Sequence, residues 1–398
     1  MSLSRQASIY ASFSALNVII SYGLLLFIAN VMSKQGYADF GFYSSLMSLL
    51  LIAVNCGYKE TFFKWASQGQ LSYLDKLRDS FYPWLLFFVV LATITLFFSP
   101  EAGLAGLGFI SLYALTAVSG LNRGFEYYLK DAIAIPTYRT FWLVGCIVIW
   151  WLWGQLPVEG VFFAALIGSV AATMLVTTPP VKKTLNFAAV RLERFSLPWM
   201  SPTMRHFFLV ELATVAYIRV DMLFLKGFDV ESDAMAEYYL GIQVLDAALM
   251  IIAPISYLFF NQINRSLRRW YQDAVPYVAL MTAIVFAIIA GWWLIGEWIL
   301  AVMFPQYVGS YTIALALLAV LIPGAGTLIL SHVLFHWDDE WIYVKACFAG
   351  LFICLLSQSL LIPAYAEWGA ITARLVTESV IFLALVGVVL YKTSRQAR

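Results

Sequence analysis

The chain has 398 residues, of which 62% are apolar or aromatic and only 12% charged, with 24 Lys and Arg against 23 Asp and Glu. A water-soluble domain of this size carries about 25% charged residues, so much of this chain must face hydrocarbon, and the near-zero balance excludes a polybasic nucleic-acid binder or an acidic tail. Cys56, Cys146, Cys347 and Cys354 sit in apolar runs at spacings that fit neither a zinc site nor a redox pair, and His206, His332 and His336 are too scattered for a metal centre, so no cofactor is expected.

Crossing roughly 30 Å of hydrocarbon takes about 20 apolar residues. Largely apolar runs of about that length, bounded by charge, Pro or Gly, fall at residues 8–31, 38–57, 81–98, 103–121, 138–154, 159–177, 207–227, 236–260, 277–299, 310–333, 342–363 and 368–391. The expected fold class is an all-α polytopic membrane protein of 12 transmembrane helices. The first run follows MSLSRQAS without an A-x-A cleavage signature and reads as a retained helix. Along it, Tyr10, Ser14, Asn17 and Ser21 recur at steps of four, three and four, a polar stripe on one face. In the second run Ser44, Ser48 and Asn55 fall on a similar face. Such groups suit sugar hydroxyls on a cavity wall, and they suit helix–helix contact equally well. Trp150, Trp151, Trp153, Trp292, Trp293 and Trp298 lie near the outer ends of the fifth and ninth runs, where an aromatic belt is expected. Pro323, followed by Gly324 and Gly326, should interrupt the tenth run, either as a gate hinge or as a static kink.

Lys and Arg accumulate on the cytoplasmic side of short loops. Twenty of the 24 fall on the side that holds both termini, including Arg139 before the fifth run, and only Lys34 and Lys226 fall on the other. Both termini are therefore expected in the cytoplasm. The stretch from Pro179 to His206 divides the runs six and six, giving an N-terminal bundle at 1–180, a cytoplasmic linker at 181–206 and a C-terminal bundle at 207–398. Thr184 to Trp199 reads either as a helix on the membrane surface or as a charged loop. A faint repeat relates the halves: Phe42-Tyr43 to Tyr238-Tyr239, Arg139 to Lys345, and Gly160 with Ala164 to Gly369 with Ala373. With even numbers of spans these are parallel repeats, a layout common in alternating-access transporters.

The runs YADFGFYSSLMSLLLIAVNCGYKETFFKWAS, YIRVDMLFLKGF with EYYLGIQVLDAALMIIAPISYLFFNQINR, and LLIPAYAEWGAITARLVTESVIFL resemble the polysaccharide-export, O-antigen flippase-like branch of the multidrug/oligosaccharidyl-lipid/polysaccharide flippase superfamily. The resemblance covers nearly the whole chain in span count and order, and it rests on hydrophobic patterns. It implies two six-helix bundles forming a V around a central cavity in a bacterial cytoplasmic membrane. The cargo it implies is a polyprenyl-diphosphate-linked oligosaccharide moved to the outer leaflet, with polysaccharide polymerase and glycosyltransferases as partners.

Charged side chains inside a bilayer cost at least about 2.5–3.5 kcal/mol and usually face a wet cavity or a partner. The candidates are Glu211, Arg219 and Asp221 in the seventh run, Asp246 in the eighth, and Arg374 with Glu378 in the twelfth; runs one to six show no comparable interior charge. At about 1.5 Å per residue, all but Glu211 share a band about 9–15 Å from the outer helix ends. Arg374 and Glu378, four apart, can pair on one face, whereas Arg219 and Asp221 point in different directions. One reading is a set of ion pairs that hold helices together. The other has Arg219 and Arg374 bind the diphosphate or an acidic sugar, while Glu211, Asp221, Asp246 and Glu378 tune them or take up a coupling ion, H+ or Na+.

Two rival functions remain. A drug/cation antiporter of the same fold typically uses an acidic residue in its first helix, and this first run has none. A membrane-embedded glycan-assembly enzyme needs a sizeable outer loop, and the longest here spans about ten residues around Asp229, Glu231 and Asp233.

Overall fold

A computed structural model of the chain describes residues 3–186, 188, 190, 202–262, 270–337 and 339–396. Side chains are described throughout these ranges apart from residues 3–11, 14–15, 202–203, 206–207, 253–262, 270–274, 335–336, 340 and 395–396. Among the described residues all regular structure is helical. The helices are α1 (Leu3–Val31), α2 (Lys34–Asn55), α3 (Tyr58–Ser67), α4 (Leu71–Phe98), α5 (Pro100–Gly124), α6 (Tyr128–Trp153), α7 (Val158–Val176) and α8 (Pro179–Thr184). Then follow α9 (Pro202–Arg219), α10 (Asp221–Gly227), α11 (Ser232–Gln262), α12 (Trp270–Met303), α13 (Ser310–Leu318), α14 (Leu321–His336) and α15 (Glu340–Gln396). All twelve hydropathy runs fall on helix: the seventh is shared by α9 and α10, the tenth by α13 and α14, and the last two lie within α15. Nine described segments are long and apolar enough to cross a membrane, one of them being the double-length α15. Phe97, Phe98, Trp151 and Trp298 are more than 60% exposed, as lipid-facing side chains must be.

The chain divides into two compact units, Met1–Leu212 and Ala213–Arg398. The division falls inside α9, so the stretch expected as a linker lies in the first unit. Most of the surface helix anticipated at Thr184 to Trp199 lies outside the described residues.

In the first unit α5 is the most buried of the candidate spans. Ser99 caps it by accepting the Ala102 amide at 3.3 Å, and Pro100 occupies the first turn, where its missing N–H is not needed. Small residues let neighbours approach: Gly108 meets the Phe162 carbonyl of α7, Gly120 the Lys59 carbonyl of α3, and Gly124 the Ala66 methyl of α3. Between α2 and α3 two consecutive left-handed residues, Cys56 (φ 43°) and Gly57 (φ 80°), turn the chain. The turn delivers Tyr58 and Phe62 into a core with Phe81 and Tyr113. The exposed face of α3 carries Phe63 and Lys64, the amphipathic pattern of a short helix beside a membrane surface.

In the second unit the tenth span tightens at Ala319 and Val320, whose amides bond to carbonyls three residues back at 3.2 and 3.0 Å. Pro323 therefore falls in the first turn of α14, where a helix tolerates it. Gly326 seats the Phe382 ring of α15, whose nearest atom would lie 2.3 Å from an added Cβ. Within α15, Ala366 leaves the helical region (φ 49°, ψ −127°) three residues after Pro363, separating the eleventh and twelfth spans. Gly369 lies against the preceding arm, with the Leu361 carbonyl oxygen 2.4 Å from where a Cβ would stand. Because that obstacle is backbone, Gly369→Ala should destabilise this turn by about 1–3 kcal/mol. Thermal melting in detergent checks it, and an unchanged melting temperature would contradict the packing described.

Candidate functional site

The interior charges of the second unit form two ion pairs and one separate carboxylate. Where α9 gives way to α10, Val220 remains right-handed, but the Met222 amide bonds to the Asp221 carboxylate at 2.9 Å. The Asp221 carboxylate also accepts the Tyr238 hydroxyl of α11 at 2.7 Å and Arg374 Nη1 of α15 at 3.2 Å. Three donors on one buried carboxylate offset much of its desolvation cost. Asp221 and Arg374 are almost fully buried, the latter 4% exposed. Arg374 thus reaches across to Asp221, where i,i+4 spacing alone allowed a pair with Glu378. Glu378 is buried facing the Tyr217 hydroxyl.

Two buried polar atoms in this cluster make no hydrogen bond among the described residues, Arg374 Nε and Gln358 Oε1. Gln358 Nε2 donates to Cys354 Sγ at 3.2 Å, and the Cys354 thiol faces the Tyr217 carbonyl at 3.7 Å. All four cysteines are buried and unpaired. Arg219 is different. Its Nη2 lies 3.1 Å from Asp246 Oδ2 of α11, and its side chain stays 28% exposed. The two arginines therefore differ: Arg374 ties α10 to α15 in a closed contact, while Arg219 stays part-exposed beside Asp246.

In the first unit Glu211 accepts a hydrogen bond from Asn55 Nδ2, which also faces Glu60 Oε2 at 3.4 Å. This joins the end of α2 to α9. Asn55 Oδ1 takes the Lys59 amide at 3.3 Å. On α1, Ser21 Oγ donates back to the Asn17 carbonyl, and Asn17 Oδ1 is buried with no hydrogen-bond partner among the described residues. The side chains of Tyr10 and Ser14 lie outside the described residues. On α2, Ser48 donates to the Ser44 carbonyl at 2.7 Å, an i−4 bond that leaves only acceptor capacity outward. Pro323 and Gly324 sit in the first turn of α14, and an added Cβ at Gly324 would meet nothing within 4 Å.

One charge escaped the sequence reading. Arg139, read from the sequence as a charge before the fifth run, lies within a helix. Helix α6 starts at Tyr128, well before the hydropathy run, so Arg139 is about 16 Å inside it and does not flank it. The helix can start early because its charged first turns are satisfied. Asp131 is buried against Arg123 Nε at 2.7 Å and Ser119 Oγ, and Lys130 Nζ donates to the Leu175 carbonyl at 3.0 Å. Lys130 and Asp131 marked a loop by composition; only their partners on α5 and α7 show otherwise.

No family model matches the chain, and no curated protein matches it in sequence. Solved structures match it in fold. An inward-facing multidrug resistance MATE family transporter of the MOP superfamily aligns at 13% identity and TM-score 0.69, over 98% of this chain and 100% of its own. An outward-facing structure of such a transporter aligns at 13% and 0.62, over 97% and 96%. A MOP superfamily transporter from Pyrococcus furiosus, whose reversed pocket polarity is said to suggest a different function, aligns at 12% and 0.57, over 96% and 93%. The chain has the fold of these proteins.

Proposed function

We propose that the chain is a multi-pass transporter of the bacterial cytoplasmic membrane, with both termini in the cytoplasm, that exposes a polar site alternately to the two sides. For cargo we propose a polyprenyl-diphosphate-linked oligosaccharide on its way to surface polysaccharide, made by glycosyltransferases and consumed by a polymerase. A diphosphate with attached sugars cannot cross hydrocarbon unaided, because each unpaired polar group costs several kcal/mol. The observation that carries this reading is Arg219, a part-exposed guanidinium at a helix junction inside an apolar unit. Its planar donors match phosphate and carboxylate. Asp246 beside it holds it in place and could exchange it for cargo.

A second reading, a small-molecule antiporter, is favoured by the fold likeness to multidrug resistance transporters. The two separate experimentally. Loss of a flippase leaves lipid-linked oligosaccharide on the cytoplasmic face; loss of an antiporter leaves glycan intact and raises retention of cationic dyes. Under the first reading Arg219→Ala should cut export at least tenfold, on the scale of about 1.4 kcal/mol or more in binding, with Arg219→Lys retaining part. Full export with Arg219→Ala at normal protein level would end the reading. Reconstituted vesicles with and without a proton or sodium gradient decide whether transport is coupled.

A further inference from the structure

We propose that Arg139 is the cation of an anion-binding site inside the first unit, and that the group it takes is the diphosphate of a lipid. The inference rests on the transport reading above and assigns the first unit its own contact with the anionic cargo. Trp150, Trp151 and Trp153 mark one end of α6, Trp151 being 76% exposed. Arg139 lies twelve residues earlier, about 18 Å along the axis, inside a hydrocarbon layer of about 30 Å. An ionised side chain at that depth needs a counter-charge or water.

The other arginines described in ion pairs have carboxylates: Arg78 with Asp75 and Asp79, Arg123 with Asp131, Arg219 with Asp246, Arg374 with Asp221. Arg139 makes no ion pair and no hydrogen bond with any described residue. Its electrostatic neighbours are two phenols, Tyr138 on its own helix and Tyr22 on α1. Helical spacing puts Arg139 on one face with Cys146 and Trp150, and Trp150 packs edge-on against Phe27 of α1 at 5.9 Å. That face therefore looks toward α1, whose residues include no Asp or Glu at all. What α1 offers instead, among its described side chains, is the amide of Asn17, whose Oδ1 has no hydrogen-bond partner among the described residues and whose N–H donors suit phosphate oxygens without neutralising a guanidinium. A fork of donors with no counter-ion among the described residues, opposite a helix without carboxylates, leaves the negative charge to be supplied by a ligand.

The test uses the full-length protein in detergent, titrated with farnesyl diphosphate, inorganic pyrophosphate and, as the uncharged control, farnesol. Tryptophan fluorescence reads binding, since Trp142 lies one turn from Arg139 on α6. The wild type should bind farnesyl diphosphate at least tenfold more tightly than farnesol. Arg139→Gln should lose at least tenfold in affinity, and Arg139→Lys should keep an intermediate value. Pyrophosphate competing with farnesyl diphosphate supports the site as one for the anion itself. Equal affinity in wild type and Arg139→Gln, equal binding of farnesol, or equal competition by phosphatidylglycerol, which would make it a general phospholipid contact, each overturns it. If Arg139→Gln fails to fold, Arg139→Lys decides: wild-type affinity for pyrophosphate in that variant counts against a bidentate guanidinium contact. Diphosphate binding that depends on Arg139, together with intact glycan export in cells lacking the protein, would keep this inference and remove the flippase reading. Export that persists in Arg139→Gln with unchanged affinity would do the reverse.

Discussion

Asp221→Ala should be the most destabilising single change in the second unit, lowering stability by about 3–5 kcal/mol, because removing one partner of a buried pair strands the other. Arg374 would be left with no carboxylate at hydrogen-bonding distance, and the Tyr238 hydroxyl and Met222 amide would lose their acceptor. Melting of the detergent-solubilised protein, followed by gel filtration, measures the loss. The double replacement Asp221→Leu with Arg374→Met removes both charges together and should recover most of it, since apolar substitutes for a buried pair are often neutral or stabilising. If the single variant melts like wild type, the pair is not the closed contact described. If the double variant melts as low as the single, the cost lies in packing and not in the stranded charge.

Gly57→Ala should be nearly as severe in the first unit. Two costs act at once: about 1–2 kcal/mol for placing a Cβ in left-handed backbone, and about 1–3 kcal/mol for crowding a packed contact. The added Cβ would stand 2.6 Å from the Met204 carbonyl oxygen, which is backbone and cannot swing aside. Gly57→Asn separates the terms, because asparagine tolerates the left-handed region but meets the same carbonyl. Equal melting for Ala and Asn assigns the loss to crowding; a milder Asn variant assigns it to the backbone. Wild-type melting for both would mean that α9 does not dock on this turn.

Helix number and order were legible in the sequence because hydrocarbon imposes a single rule, about 20 apolar residues per crossing, and each of the twelve runs satisfies it independently of its neighbours. What the rule cannot see is a charge neutralised by another helix. Lys130 and Asp131 looked like a loop, and Arg139 after them like a flank, because the partners of Lys130 and Asp131 are 8 to 45 residues away in sequence, and a window of hydropathy has no access to them. The interior charges of the second unit were visible as anomalies, yet their pairing was not: Arg374 is 153 residues from Asp221 and four from Glu378, and the distant partner holds it. The bend after Arg219 had one faint signal, two opposite charges two residues apart with no Pro or Gly between them. The turn at Ala366 had only Pro363 nearby to announce it.

Helix α5 is notched at several heights by absent or minimal side chains, the notches filled by backbone atoms or methyls of α3, α4 and α7. A shaft keyed in this way can neither spin nor creep along its own axis, since rotation by one residue would bring a full side chain to every point where the neighbours now touch backbone. The first unit therefore has no internal gear. Work done on it by a ligand at one level must emerge as displacement of the whole block, and amide exchange should be slowest along α5, at the rate of global unfolding.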